Sequence, residues 1–290
     1  MRFLHLTDAH LSSLGQRAWW RLRGKRRLGY LSWWRKRRFE LTATALTRVS
    51  AAAATEQADF IAITGDLVHL ALAEELEQAR AWLAQLAQHH LLALVPGNHD
   101  CYRDDALAAM PAAWAPYLAF DGDAGAPYPR LLRRGALSVI GLNSAWPMPW
   151  WSAGGTLGAA QLARLDAALA TTAGSFRCVM LHHPPLAGQA PARKALSDAA
   201  PLRELLARHG VELVLHGHLH HNDVRVYGAR TRVVVTGPAS SALRHNPASY
   251  RVIDVSQVGT DWQVDIALKR VLPDGAWLPA ESLQWRVPCL

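Results

Sequence analysis

Residues 59–66 read Asp-Phe-Ile-Ala-Ile-Thr-Gly-Asp, and residues 91–99 read Leu-Leu-Ala-Leu-Val-Pro-Gly-Asn-His. Each is a short apolar run closed by glycine and a polar side chain able to bind a metal. The runs suit buried strands, Asp59–Thr64 and Leu91–Val95, and Glu74–Gln88 between them has a helical pattern. Strand, helix, strand is the unit of α/β layering.

The same alternation extends in both directions. Arg2–Leu6 is a short apolar strand, and Leu41–Gln57 is an Ala-rich helix. Downstream, strands are expected at Leu137–Leu142, Arg177–Leu181 and Val211–Leu215, with helices at Gln161–Leu169 and Pro201–Arg208. Val224–Tyr227, Arg232–Thr236, Tyr250–Val255 and Trp262–Leu268 read as strands with no helix between them, which suggests a second sheet in the last third. The whole chain, 1–290, is expected to form one domain, with an insert at about 15–39 and a strand-rich part at about 222–290.

The chain has 290 residues, half of them hydrophobic, enough for a well-buried core. Its three cysteines, Cys101, Cys178 and Cys289, are odd in number and scattered, which argues against a disulfide framework. No apolar run approaches the ~18–20 residues that cross a bilayer, and the first residues lack the order of a signal peptide. These features predict a cytoplasmic protein, with room for peripheral contact at the inner face of a membrane. The formal charge of +8 is local: residues 17–38 carry ten Lys or Arg and no acid, and the rest holds 21 basic against 23 acidic residues. An anionic partner is therefore expected at that segment.

Metal-ligating side chains recur just after the expected strands: Asp8 and His10, Asp66, Asn98 and His99, His182 and His183, His218 and His220. In open α/β sheets the carboxyl ends of strands converge on the ligand site. Any one of these pieces is as readily a turn, but five at five strand ends point to one site. Asp, Asn and His without cysteine suit two divalent ions such as Mn, Fe, Zn or Co, whereas structural zinc favours cysteine and calcium favours all-oxygen ligands. Two such ions, ~3.5–4 Å apart, supply a nucleophilic water and neutralise phosphoryl charge, the help that phosphoester hydrolysis needs.

The order Asp-x-His, Gly-Asp, Gly-Asn-His-Asp, His-His-Pro-Pro, Gly-His-x-His resembles the calcineurin-like metallophosphoesterases, and the five blocks span residues 8–220. The resemblance implies an α/β fold, a four-layer αββα sandwich of two mixed β-sheets flanked by helices. It implies that Asp8, His10 and His220 hold one metal, that Asn98, His182 and His218 hold the other, and that Asp66 bridges them. His99 would face substrate as a catalytic group rather than bind metal. Asp100 would orient His99, as carboxylates do for histidines near metals. His183, His216 and His221 are read as packing or supporting groups. His5, His69, His89, His90, His209 and His245 are read as ordinary histidines.

Between the first two blocks, residues 17–38 form a basic insert that also holds four of the twelve tryptophans. Trp and Arg together favour the lipid interface, so the insert reads as a membrane-surface or lipid-substrate element. Trp33, Trp34, Arg35 and Arg37 are the candidate substrate or membrane contacts. Gly24 and Gly29 are expected to break the insert into two short amphipathic pieces. A solvated loop with packed tryptophans is the plainer reading, and nucleic acid the weaker one, because paired tryptophans with Leu and Tyr are more apolar than a stacking groove needs. Trp146-Pro-Met-Pro-Trp-Trp151 is either an apolar wall beside the insert or a packed loop. The resulting expectation is a two-metal phosphohydrolase acting on a phosphodiester or pyrophosphate with an amphipathic part, similar to the family branch that acts on lipid-linked nucleotides. The alternatives are a cyclic-nucleotide phosphodiesterase and a non-catalytic scaffold for membrane or protein.

Overall fold

The computed structural model describes residues 1–11, 14, 20, 22–123 and 125–290. Of the basic insert, residues 17–19 and 21, with Arg17, Trp19 and Arg21 among them, lie outside the described residues. Two sheets stack face to face. The first has the order β13 (Glu281–Pro288), β12 (Asp261–Val271), β11 (Asn246–Val258), β1 (Arg2–Leu6), β2 (Phe60–Ile63), β3 (Leu91–Leu94), with the short β10 (Ala242–Leu243) paired to β11. The second runs β4 (Arg130–Arg134), β5 (Leu137–Gly141), β6 (Phe176–Met180), β7 (Leu213–His216), β9 (Thr231–Val235), β8 (Asp223–Tyr227). Strands β1, β2 and β3 are parallel, as are β5, β6, β7 and β9, and antiparallel strands complete both sheets.

Strand alternation builds three apolar layers. Phe3, Phe60, Ala62, Ala93 and Val95 point between the sheets and meet Val139, Cys178, Met180, Leu213 and Leu215. Their neighbours Leu4, Leu6, Ile61, Ile63, Leu92 and Leu94 point outward, beneath α3 (Ala43–Thr55), α4 (Ala73–Leu86) and α5 (Asp104–Leu118). On the other side Ile140, Val179 and Val214 lie under α6 (Ala159–Thr171) and α7 (Ala199–His209). The expected four layers are therefore present, and the runs around residues 60 and 91 are apolar throughout because both of their faces are covered.

Four local expectations are corrected. The C-terminal strands do not form a sheet of their own: β8 and β9 extend the second sheet, while β11 to β13 extend the first. Helix α5 carries Pro111 and Pro116 and was not expected, since proline interrupts a helical pattern. It forms because Ala106, Met110, Trp114 and Leu118 recur every four residues on one buried face. Strands β4 and β13 were also not anticipated; only Trp285 and Val287 of β13 are buried.

The insert is the fourth. Gly24 sits at the N-cap of α1 (Lys25–Ser32), but the chain then runs on through a π-helical turn (Trp33–Arg37) and α2 (Arg38–Glu40) without a break at Gly29. Gly29 is selected for contact: a Cβ there would collide with the Tyr102 hydroxyl and with Leu70. The helix buries Tyr30 and Trp33 and turns Trp34, Arg35, Arg38 and Phe39 outward. Trp33, 7% exposed, is therefore corrected from a surface contact to a core residue, whereas Trp34 is 48% exposed. Among the described residues no helix is long and apolar enough to cross a membrane.

Candidate metal centre

The carboxyl ends of β1, β2, β3, β6 and β7 meet at one rim of the sandwich, and each contributes side chains. Asp8 Oδ1 lies 3.1 Å from His220 Nε2 and 3.8 Å from His10 Nε2, and His10 Nε2 is 3.9 Å from Asp66 Oδ2. A second group forms around His182 Nε2, which is 3.3 Å from Asp66 Oδ2, 3.1 Å from Asn98 Oδ1 and 3.2 Å from His218 Nδ1. Ligand atoms bound ~2.1 Å from a common ion stand roughly 3–3.5 Å apart, so both groups have the spacing of coordination sets. Asp66 belongs to both.

The backbone reports the same convergence. Among the described residues seven non-glycine residues have positive φ, and five of them are Asp8, His10, Asp66, His218 and His220. Left-handed backbone at non-glycine residues costs about 1–3 kcal/mol each and persists where the surroundings impose it, often at functional sites. Two polar atoms inside the cluster, Asp8 Oδ1 and His218 Nε2, are buried without a hydrogen-bond partner. The first faces the ring nitrogens of His10 and His220, where a cation would satisfy it.

Second contacts aim the ligand atoms. His10 Nδ1 donates to the Val68 carbonyl at 3.1 Å and His182 Nδ1 to the Thr64 carbonyl at 2.7 Å, leaving each Nε2 lone pair turned inward. Burial pushes the Asp66 carboxyl up, yet His182, His99 and His10 around it hold it well below the usual carboxylate range. His182 goes the other way: against burial, Asp66 drives it up to about 9. A cation at this place competes with that proton, so metal affinity should rise with pH.

His99 stands apart from both ligand groups. Its Nδ1 donates to the His69 carbonyl at 2.6 Å, its backbone N–H donates to Asp66 Oδ1 at 2.7 Å, and its Nε2 accepts from Arg37 Nη1 at 2.8 Å. The orienting role expected of Asp100 is corrected. Its carboxylate accepts the backbone N–H groups of Gly97, Asp66, Leu67 and Val68 and so ties the β2 and β3 end loops together, while a carbonyl orients His99.

Both ring nitrogens of His183 are engaged by the protein: Ser144 holds its Nδ1 at 2.8 Å and the Ala153 carbonyl its Nε2 at 3.2 Å, with the ring tilted against His218. Asn143, which follows β5, accepts the Ala145 N–H on Oδ1, and its backbone N–H and carbonyl bond to the Gln161 side chain. His69, read as ordinary, stacks on His10 with ring centroids 4.7 Å apart and supplies the carbonyl that fixes His99. Nothing in its sequence neighbourhood marks it, because its role depends on two residues distant in the chain.

Among the described residues, clefts open on the centre from two sides. One is lined by Lys25, Leu28, Arg37, His99, Trp150, Trp151 and Arg193, and no carboxylate is among its described lining residues. The other holds Arg37, Asp66, His99, Lys194, His218 and His220. The Trp146–Trp151 loop is thus a wall facing α1, with Trp150 66% and Trp151 61% exposed and Lys25 Nζ bonded to the Met148 carbonyl.

Buried neutral histidines make the fold acid-sensitive. Burial pushes His183 and His216 down to about 3, and His5, held between Thr64 and Thr236, well below its ordinary value. Their folded pKa lies below the unfolded one, so their contribution is full above pH ~6.5 and is lost as pH falls towards the folded value. At pH 5 the loss is about 2 kcal/mol for each of His183 and His216, and the raised His182, which gains stability as pH falls, offsets only part of it. Urea unfolding of metal-free protein at pH 7.5 and 5 should show a clear drop in midpoint, and equal midpoints would refute it.

The family described as calcineurin-like phosphoesterase matches residues 1–222. A protein of Synechococcus sp. (strain WH7803) named "Probable cyclic nucleotide phosphodiesterase" is 27% identical over 287 residues, which cover 95% of this chain and 93% of that protein. Among solved structures, a dimetal phosphatase from Danio rerio superposes with a TM-score of 0.67 at 12% identity, covering 98% of each chain. A purple acid phosphatase from yellow lupin (Lupinus luteus) seeds gives 0.61 at 11% identity, over 97% of this chain and 53% of that one. At such identities the two structures speak for the fold alone.

Proposed function

We propose, from the premise that this chain belongs to the calcineurin-like phosphoesterase family, that it hydrolyses a phosphodiester or pyrophosphate bond in an amphipathic substrate met at an anionic lipid surface. The observation that carries the reaction class is the carboxylate of Asp66, shared by two groups of ligand atoms. Asp8, His10 and His220 would hold one divalent ion, Asn98, His182 and His218 the other, and Asp66 both. Two such ions supply charge neutralisation at phosphorus and a water made acidic enough to attack it. Nε2 of His99, bonded to Arg37 in this structure, is the ring nitrogen that would meet substrate, since its Nδ1–H is committed to the His69 carbonyl. Lys25, Arg37 and Arg193 attract the anionic group into the cleft. A scaffold without catalysis would have no use for this arrangement.

The amphipathic, lipid-surface part of the proposal is supported by the outward face of the π-helical turn and α2, where Trp34 and Phe39 stand among Arg35 and Arg38, and by the exposed Trp150 and Trp151. Aromatic and basic side chains together suit a headgroup interface, at roughly 1 kcal/mol per cation near anionic lipid. A cyclic nucleotide is the second reading, favoured by the name of the Synechococcus relative. One experiment separates them. Mn-loaded protein is assayed on bis(4-nitrophenyl) phosphate, cyclic nucleotides and lipid pyrophosphates, with and without vesicles of anionic lipid. The lipid reading expects salt-sensitive sedimentation with the vesicles, weakened by replacing Arg35 and Arg38 with Ala, and preferred turnover of the lipid substrate. No vesicle binding at low salt with turnover of a cyclic nucleotide would replace it by the second reading. No metal-dependent hydrolysis of any ester would sink both.

A further inference from the structure

The insert helix delivers a guanidinium to His99. We infer that Arg37 grips the phosphoryl group of the substrate, and that in the resting chain it is parked on His99 Nε2. This assignment rests on the hydrolytic reading above for the identity of the ligand.

The hydrogen-bond roles are fixed by chemistry. The His69 carbonyl can only accept, so His99 Nδ1 carries the proton, and Nε2 offers a lone pair to Arg37 Nη1 at 2.8 Å. Among the described residues Arg37 is paired with no carboxylate. An imidazole lone pair is a weak partner for a guanidinium, whereas two phosphoryl oxygens match its planar fork with two charge-assisted bonds. A phosphoryl group entering the centre therefore draws Arg37 off the histidine. The same exchange uncovers Nε2, because the guanidinium and the substrate cannot both occupy it.

The helix is shaped for this delivery. Its turn at Trp33–Arg37 is π-helical, with the Arg38 N–H bonded to the Trp33 carbonyl five residues back, and α-helix resumes on either side. The wider turn leaves Trp33 in the core and Arg37 beside His99. Single π turns inside helices occur often at functional sites. Arg37 also lines both clefts, the basic one and the one floored by Asp66, so it stands where a phosphoryl group must pass.

The test uses metal-loaded full-length protein titrated calorimetrically with inorganic phosphate. Arg37→Ala should weaken phosphate binding at least about tenfold at unchanged metal content, and Arg37→Lys should recover only part, as a point charge replaces a fork. In hydrolysis of bis(4-nitrophenyl) phosphate, added guanidinium ion at a concentration far below denaturing should restore part of the Arg37→Ala loss, which a packing role would not permit. Phosphate affinity within twofold of wild type in Arg37→Ala overturns the assignment. A wild-type chain that binds phosphate through Arg37 yet cleaves no ester would refute the hydrolytic reading and leave this one standing.

Discussion

Asp66→Ala is expected to empty both metal positions and to lower metal-dependent diester hydrolysis by more than roughly 10³-fold. The residue stands at the junction of the two ligand groups. Its Oδ2 lies 3.3 Å from His182 Nε2 and 3.9 Å from His10 Nε2, while its Oδ1 accepts the His99 N–H at 2.7 Å. Removing it deletes the carboxylate that would be common to both ions and leaves His10 and His182 without the charge that stands between them. It also frees the backbone of the loop that carries Asn98 and His99. His99→Ala is the informative contrast, because its ring belongs to neither ligand group. That variant should lose activity while keeping close to the wild-type metal content. Elemental analysis of the purified chains, run beside the aryl diester assay, checks both statements. An Asp66→Ala protein that retained two ions per chain would remove the shared-ligand role, and full activity in His99→Ala would remove the role of the histidine.

The second large effect is on stability. Asp100→Ala should cost about 3–5 kcal/mol and should weaken metal binding although Asp100 is not in a ligand group. The fully buried carboxylate accepts N–H groups from Gly97, Asp66 and Leu67, each at 2.8 Å, and from Val68 at 3.3 Å. Alanine leaves these donors without a partner in a place closed to water, and each orphan costs about 1–3 kcal/mol before relaxation. The same bonds hold the loops after β2 and β3 against one another. Their approach is so close that a Cβ on Gly97 would overlap the Asp66 carboxylate and backbone. Once that lock is gone, Asp66 and Asn98 no longer hold their mutual position. Chemical denaturation with and without Mn measures the loss, and a midpoint equal to wild type would show that the four bonds do not bear on stability.

The reaction class was legible because each metal block is local: a strand end, a turn residue and a ligand within a few positions. Other residues were misread for a common reason. Trp33 and Trp34 are adjacent and chemically identical, yet a helix sets neighbours about 100° apart, so one is buried and the other exposed. Gly29 looked like a breaker, whereas the approach of Tyr102 and Leu70 requires it. Asp100 looked like the partner of His99, and its actual partners are four amides on two loops. Pro111 and Pro116 hid α5, whose stability comes from burying Trp114 rather than from helix propensity.

By itself, then, the sequence determined the α/β layering, the strand ends and the chemistry of the ligand atoms, because periodicity and side-chain type are local properties. Only the tertiary structure decided which C-terminal strands join which sheet, that residues 25–40 of the insert region run as one helical stretch with Arg37 at its inner side, and that His69 and Asp100 position the centre from behind. Those outcomes depend on pairings between residues tens to hundreds of positions apart, and such pairings leave no periodic trace in the chain that makes them.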